Sequence, residues 1–246
     1  MRYEPFVVDG AGRKGRWTVL CDHASNIVPD FVAGGTLGVA QADMARHIAY
    51  DLGAEGVSRA LAAALDSPAI LSRFSRLVID PNRGEDDPTL IMQLYDGTII
   101  PGNRGISEPD AGERLRRCYR PYHEAVARLT AAHTAPVIIS IHSFTPRLRG
   151  RAPRPWHVGL LYSTDTRLAR PLLARLQAEP DLSVGDNRPY TGHLPGDTIA
   201  RHAIAAGRLN VLIELRNDLI QTPAQQRNWG ARLARVLIET LEHEGL

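Results

Sequence analysis

Short apolar runs alternate with longer amphipathic stretches along most of this chain, and this alternation limits the possible folds more than any other feature. The sequence predicts buried strands at 17–21, 137–141 and 210–215, with helical patterns such as 108–133 between them. Strands that alternate with helices form a mostly parallel sheet with right-handed crossovers. No repeat or linker divides the chain. We therefore predict a single α/β domain over 1–246, with three layers in which helices flank a mostly parallel mixed sheet.

The composition excludes several classes of function. The 29 Lys+Arg residues nearly balance the 27 Asp+Glu residues, which leaves a net charge of +2. That balance is too even for a protein whose main partner is nucleic acid or an anionic membrane. Residues 1–17 contain no apolar signal-peptide core, and Cys21 and Cys118 are too far apart to suggest a disulfide framework. We expect a cytoplasmic protein that acts on a small molecule.

Polar residues follow four of the predicted strands at the point where each strand ends. In open α/β sheets, ligands bind outside the carboxyl ends of the strands, so these residues are expected to meet at one edge of the sheet. The four groups are Asp22-His23, Asp80-Pro81-Asn82-Arg83, His142-Ser143 and Glu214-Leu215-Arg216.

Two of these residues are histidines, and their matching positions suggest a metal site. Zinc favours imidazole nitrogen and carboxylate oxygen, and catalytic zinc sites leave one position open for water. We predict that His23 and His142 are ligands. The third ligand is either Asn26, through its amide oxygen, or Asp22, which is chemically the stronger donor. Another divalent metal, such as manganese or iron, is compatible with the same donors.

Glu214 is a charged residue inside an apolar strand, and this position suggests a general base. A glutamate is rarely buried without a partner or a purpose. Burial would raise its pKa toward the range that suits proton transfer. The alternative is a buried ion pair with a neighbouring arginine, such as Arg216. Arg83 is a candidate for holding a substrate carboxylate or an oxyanion, although it could instead pair with Asp80.

Four further segments complete the predicted organisation. From Asp43, a suitable N-cap, hydrophobic spacing predicts a helix toward Leu65. The run 76–80 predicts another strand. The segments 85–109 and 185–197 are rich in turn-forming or polar residues and predict surface loops. Long loops in compact domains are often functional.

Four short motifs resemble those of the zinc carboxypeptidases, in the same order along the chain. His23 stands where their first metal histidine stands, and Asn26 occupies the place of their glutamate ligand. The other motifs resemble, in turn, their substrate-carboxylate pair, second histidine and catalytic glutamate: Asp80-Pro-Asn-Arg83, Ser140-Ile-His-Ser143 followed by Phe144, and Ile213-Glu-Leu-Arg216. This resemblance implies a zinc-carboxypeptidase-like fold.

A closer resemblance is to the N-formylglutamate amidohydrolase family, and it runs from about residue 17 to residue 240. It rests on Cys21-Asp-His-Ala-Ser-Asn26 followed by Pro29, on Asp186-Asn-Arg-Pro-Tyr190, and on His202 with Ile213-Glu-Leu-Arg-Asn-Asp-Leu-Ile220. Arg188 departs from the family, in which an acidic residue is expected.

This resemblance implies zinc-dependent hydrolysis of an N-acyl amino acid, with N-formyl-L-glutamate the leading candidate and Glu214 the catalytic base. The implied substrate-binding residues are Asn82, Arg83, Ser143, Arg188, Tyr190, His202 and Arg216. Two alternatives stay open. One is a carboxypeptidase or another N-acyl amino acid deacylase, and the other is a non-catalytic small-molecule binding protein on the same fold.

Overall fold

A central sheet organises the computed structural model, which describes residues 3–246. Within these residues the sheet has seven strands, in the spatial order β1-β3-β2-β6-β9-β7-β8. Their bounds are Phe6–Asp9 (β1), Trp17–Cys21 (β2), Ala69–Ser72 (β3), Val137–Phe144 (β6), Val158–Leu161 (β7), Val184–Asp186 (β8) and Asn210–Arg216 (β9). The pairs β1–β3 and β7–β9 are antiparallel, and the other neighbouring pairs are parallel. The predicted α/β class with a mostly parallel mixed sheet is confirmed.

Helices cover both faces of this sheet, which gives the three predicted layers. One apolar cluster joins the sheet to α2, α5 and α7, and a second joins the opposite face to α4 and α6. The helices are Gln41–Met44 (α1), Ala54–Ala64 (α2), Glu108–Arg114 (α3), Arg120–Ala131 (α4), Ala169–Gln177 (α5), Thr198–His202 (α6) and Pro223–Glu244 (α7). None of the helices in the described part of the chain has the length and apolar character needed to cross a membrane. The single-domain prediction began at residue 1, and residues 1 and 2 lie outside the described part.

The predicted strand at 76–80 is wrong, since this segment is a buried turn. The Val78 amide donates to the Ser75 carbonyl, and the Asp80 amide donates to the Leu90 carbonyl, so no neighbouring strand is needed. Leu77 and Ile79 are completely buried. Apolar residues that are buried in a loop give the same short hydrophobic run as a strand, and the sequence pattern alone cannot separate the two.

The predicted continuous helix from Asp43 to Leu65 is also wrong. The structure has α1 and α2 with a non-helical excursion, residues 45–53, between them. Gly53 ends this excursion with a φ of +79°, a left-handed conformation that glycine adopts without steric cost. The Asp51 amide donates to the His23 carbonyl, which holds the excursion beside the end of β2.

The two predicted loops contain short regular elements. Segment 85–109 includes a hairpin, Leu94–Tyr95 (β4) paired with Thr98–Ile99 (β5), and segment 185–197 starts in the last residues of β8. The helical pattern over 108–133 is divided into α3, a π-helical turn at Leu115–Tyr119, and α4. Because β2, β6 and β9 are neighbours at the centre of the sheet, the residues at their carboxyl ends lie together.

Candidate active site

Two histidines and one aspartate converge at the carboxyl edge of the sheet. Nδ1 of His23 lies 3.3 Å from Oδ2 of Asp51, and Nδ1 of His142 lies 2.9 Å from the same oxygen. All three residues are buried. Among the described residues, they form the group of His, Cys, Asp and Glu donors that is arranged to hold a metal ion, with one donor atom from each residue within 4.8 Å of the others.

The opposite nitrogen of each imidazole contacts a second carboxylate. Nε2 of His23 lies 2.6 Å from Oδ1 of Asp80, and Nε2 of His142 lies 3.2 Å from Oδ2 of Asp22. Histidines that bind metals in proteins usually donate this second ring N–H to a carboxylate, which fixes the ring and leaves the other nitrogen free for the ion. Both rings therefore present Nδ1 to the position between them.

These donors fit zinc in chemistry and in spacing. A tetrahedral zinc with ligand bonds of about 2.0–2.2 Å places its donor atoms about 3.4 Å apart, close to the separations of Asp51 Oδ2 from the two Nδ1 atoms. The local field also favours positive charge. Although burial opposes it, hydrogen bonds to Asp22 and Asp51 raise the pKa of His142 well above its usual value. Burial alone would raise the pKa of the Asp51 carboxyl, but the neighbouring histidines lower it.

The third member of this group is Asp51, whereas the sequence suggested Asn26 or Asp22 as the third ligand. The Asn26 amide donates to the Met44 carbonyl at 2.9 Å and lines a separate surface cavity. The Asp22 carboxylate faces the far nitrogen of His142, where it also accepts hydrogen bonds from Ser140 and Tyr122. Asp22 thus contacts a histidine on the side away from the position where the donors converge.

Glu214 lies beside the histidines, because the parallel pairing of β6 and β9 sets His142 and Glu214 opposite each other. Its side chain is buried, and Oε2 has no hydrogen-bond partner among the described residues. Burial raises the pKa of Glu214 to about 7. The alternative of an ion pair with Arg216 is wrong, since Arg216 pairs with Asp218 instead, at 2.8 Å.

A cavity of about 440 Å³ opens over these groups. Four of the predicted substrate-binding residues line it: Asn82, Arg83, Ser143 and Tyr190. Arg83 uses Nη1 to donate to the Asn82 carbonyl and Nε to donate to Thr89, and its Nη2 makes no hydrogen bond within residues 3–246. The alternative pairing of Arg83 with Asp80 is absent within residues 3–246, because Asp80 pairs with Arg76 instead, at 2.8 Å. Arg83 therefore has a free donor for a substrate anion.

Three other predicted substrate-binding residues lie outside this cavity. His202 is buried between helices, with Nε2 at 2.9 Å from Nδ1 of His123. Arg216 pairs with Asp218 at the end of β9, and the carbonyl oxygen of Arg188 packs against Gly159. The resemblance that implied a substrate-binding role for these residues does not by itself place them at the cavity.

The sequence interpretation missed Asp51, Arg76 and Asp197, which also line the cavity. Arg76 contacts both Asp51 and Asp80, at 3.3 and 2.8 Å. The Asp197 carboxylate accepts a hydrogen bond from the Ala200 amide, and burial raises its pKa to about 6. One signal for Asp51 was present in the sequence, since Gly53 lies inside the predicted helix and is a poor residue for a helix interior.

Comparison with known proteins identifies the same family that the sequence motifs resemble. The model of a protein family described as N-formylglutamate amidohydrolase matches residues 16–221. A search of curated proteins found no match.

Solved structures extend this similarity across the chain. A gene product from Agrobacterium tumefaciens is 34% identical, with a TM-score of 0.92 over 99% of this chain and 97% of that one. An N-formylglutamate amidohydrolase from Ralstonia eutropha is 23% identical, with a TM-score of 0.62 over 98% of this chain and 97% of that one. A metallo-carboxypeptidase from Pseudomonas aeruginosa is 14% identical, with a TM-score of 0.46 over 93% of this chain and 57% of that one.

Proposed function

Because this chain belongs to the N-formylglutamate amidohydrolase family, we propose that it hydrolyses the amide bond of an N-acyl amino acid with the help of a zinc ion. The observation that carries this proposal is the convergence of His23, Asp51 and His142 beside Glu214, whose buried Oε2 has no hydrogen-bond partner within the described part of the chain. N-formyl-L-glutamate, which would give formate and L-glutamate, is the first compound to test.

The ion would be held by Nδ1 of His23, Nδ1 of His142 and a carboxylate oxygen of Asp51. When bound, zinc acts as a Lewis acid that polarises a carbonyl group and makes water more acidic. Asp80 and Asp22 keep the two imidazole rings in the orientation that this requires. The same donors accept other divalent metals, and the selection among them depends on geometry and availability.

Glu214 is the group that moves protons in this proposal. Its carboxylate takes a proton from the attacking water, whose oxygen bonds to the acyl carbon, and then delivers that proton to the departing nitrogen. The amide C–N bond breaks, and the products are a carboxylate and a free amino acid. The free Nη2 of Arg83, next to Asn82, binds the carboxylate of the substrate through charge-assisted hydrogen bonds.

The rate should depend on pH through Glu214. Burial raises the pKa of this carboxyl to about 7, so the ionised form that accepts a proton is lost as the pH falls through that value. We expect kcat/KM to fall about tenfold for each pH unit below about 6. The measurement is kcat/KM across the acidic and neutral range, with zinc content determined at each pH. A flat profile in protein that keeps its zinc would contradict the role of Glu214.

The proposed function is tested by assaying zinc-loaded protein against N-formyl amino acids, with formate release as the signal, and against blocked dipeptides. We expect formate release that stops when a chelator removes the metal and returns when zinc is added.

Cleavage of the dipeptides without hydrolysis of any N-acyl amino acid would favour a carboxypeptidase. No hydrolysis of either class by zinc-loaded protein would favour a binding protein.

A further inference from the structure

The cavity that Glu214 lines also has apolar side chains in its wall, and we call the part that they form the side-chain pocket. It is formed by Phe144, Leu161, Tyr190, Leu194 and Leu212. We propose that the side-chain pocket binds an apolar amino acid side chain, so that the preferred substrates are N-acyl derivatives of residues such as leucine rather than of glutamate. This inference rests on the proposed function, and it names the substrate class that the site selects.

The strands place the side-chain pocket directly beside the catalytic groups. Successive side chains of a strand point to opposite faces, so Leu212 lies on the same face as Glu214, and Phe144 on the same face as His142. Leu161 pairs with Leu212 across the antiparallel β7–β9 ladder. A substrate that placed its amide bond next to Glu214 would therefore have apolar side chains within reach of its own side chain.

The size of the cavity also leaves room for the side chain of an amino acid. At about 440 Å³, it lies in the range of roughly 300–1,000 Å³ that is typical of sites for drug-sized ligands. A formyl group and one carboxylate would leave much of this space empty. An aliphatic or aromatic side chain would fill it and remove apolar surface from water, which favours binding.

The positive groups of the cavity leave few partners for a second carboxylate. Arg76 is almost completely buried and is already paired with Asp51 and Asp80. Arg83 offers a free donor, which the α-carboxylate of the substrate would occupy. Burial lowers the pKa of His47 and so opposes a positive charge on its imidazole, although the nearby carboxylate of Asp96 acts in the other direction. His193 is exposed at the rim of the cavity.

Arg154 is another nearby cation, and its guanidinium packs against two of the aromatic rings that form the side-chain pocket. Its guanidinium lies 4.9 Å from the ring centroid of Tyr190 and 5.7 Å from that of Phe144, and it donates to the Thr145 carbonyl. Arg154 itself does not line the cavity. A glutamate side chain in the side-chain pocket would thus leave its carboxylate buried without a charged partner, which is strongly unfavourable.

The test compares N-formyl-L-leucine, N-formyl-glycine and N-formyl-L-glutamate on zinc-loaded wild-type protein, so that only the side chain varies. A single buried methylene changes kcat/KM by about 10–200-fold, and we expect the leucine compound to exceed each of the others by at least about tenfold. A kcat/KM for the glutamate compound that equals or exceeds that for leucine would overturn the proposal. A glycine compound that matches leucine would overturn it as well.

A pair of variants tests the charge argument. Thr191 is exposed and lines the cavity, whereas Thr134 is exposed and lines a different surface cavity. Thr191→Arg should raise the ratio of kcat/KM for the glutamate compound to that for the leucine compound by about tenfold. Thr134→Arg should leave this ratio unchanged. An unchanged ratio in a folded Thr191→Arg protein would count against the proposal.

A binding measurement separates this proposal from the proposed function. Calorimetric titration of the zinc-loaded Glu214→Gln variant with the same three compounds reports on the side-chain pocket without turnover. Tighter binding of the leucine compound, with no hydrolysis by the wild type, would support the side-chain pocket and refute the function. Hydrolysis of all three compounds with a preference for the glutamate compound would support the proposed function and refute the side-chain pocket. Equal or absent binding of all three would overturn the side-chain pocket.

Discussion

Replacing Asp51 with asparagine is expected to lower the affinity for zinc by about a hundredfold or more and to abolish most of the hydrolytic activity. Loss of a residue that only orients a ligand already lowers metal affinity by about 10–100-fold, and Asp51 is the carboxylate that lies between both imidazoles. An amide in its place supplies no negative charge to the ion. Competition with a chromophoric zinc chelator measures the affinity.

Asn26→Ala is the matched control for this experiment. Asn26 was one of the two third ligands suggested by the sequence, with Asp22, but its amide donates to the Met44 carbonyl outside the cavity. We expect Asn26→Ala to bind one zinc per chain with nearly wild-type affinity. If Asn26→Ala lost the metal while Asp51→Asn kept it, the assignment of the third ligand would be refuted.

The second large effect is expected for Glu214→Gln, which should keep the metal and lose turnover. Removing a general acid–base group lowers the rate by about 10²–10⁴-fold, and glutamine has nearly the same shape as glutamate. The change therefore leaves the packing around β9 intact and removes the proton acceptor. The measurements are zinc content and kcat, on protein whose thermal unfolding resembles that of the wild type.

Glu55→Gln controls for the loss of a carboxylate as such. Glu55 is exposed in α2, where it pairs with Arg59. We expect Glu55→Gln to retain wild-type kcat. A Glu214→Gln protein with more than about a tenth of wild-type turnover would fall outside the range of acid–base catalysis and would remove Glu214 from this role.

The residues at the strand ends could be predicted because the rules that place them are local. The apolar runs of β2, β6 and β9 are visible in the sequence, and parallel pairing brings their carboxyl ends together. His23, His142 and Glu214 follow from that reasoning alone, without any knowledge of the loops. The confirmed α/β class has the same origin.

Asp51 could not be predicted in this way, since its position depends on contacts between distant segments. Residues 45–53 are not helical because the Asp51 amide donates to the His23 carbonyl. The Ser75 hydroxyl also donates to the Ala49 carbonyl, although the two residues are 26 positions apart in the sequence. Likewise, the segment 76–80 is buried without joining the sheet, and it brings Arg76 to Asp51 and Asp80. Hydrophobic periodicity carries no information on such contacts.

Elemental analysis together with formate release from N-formyl amino acids tests whether the metal site carries the reaction, on the wild type and on a His23→Ala, His142→Ala double variant. We expect about one zinc per chain and formate release in the wild type, with both lost in the double variant. A double variant that still releases formate at the wild-type rate would contradict a metal-dependent mechanism at His23, Asp51 and His142.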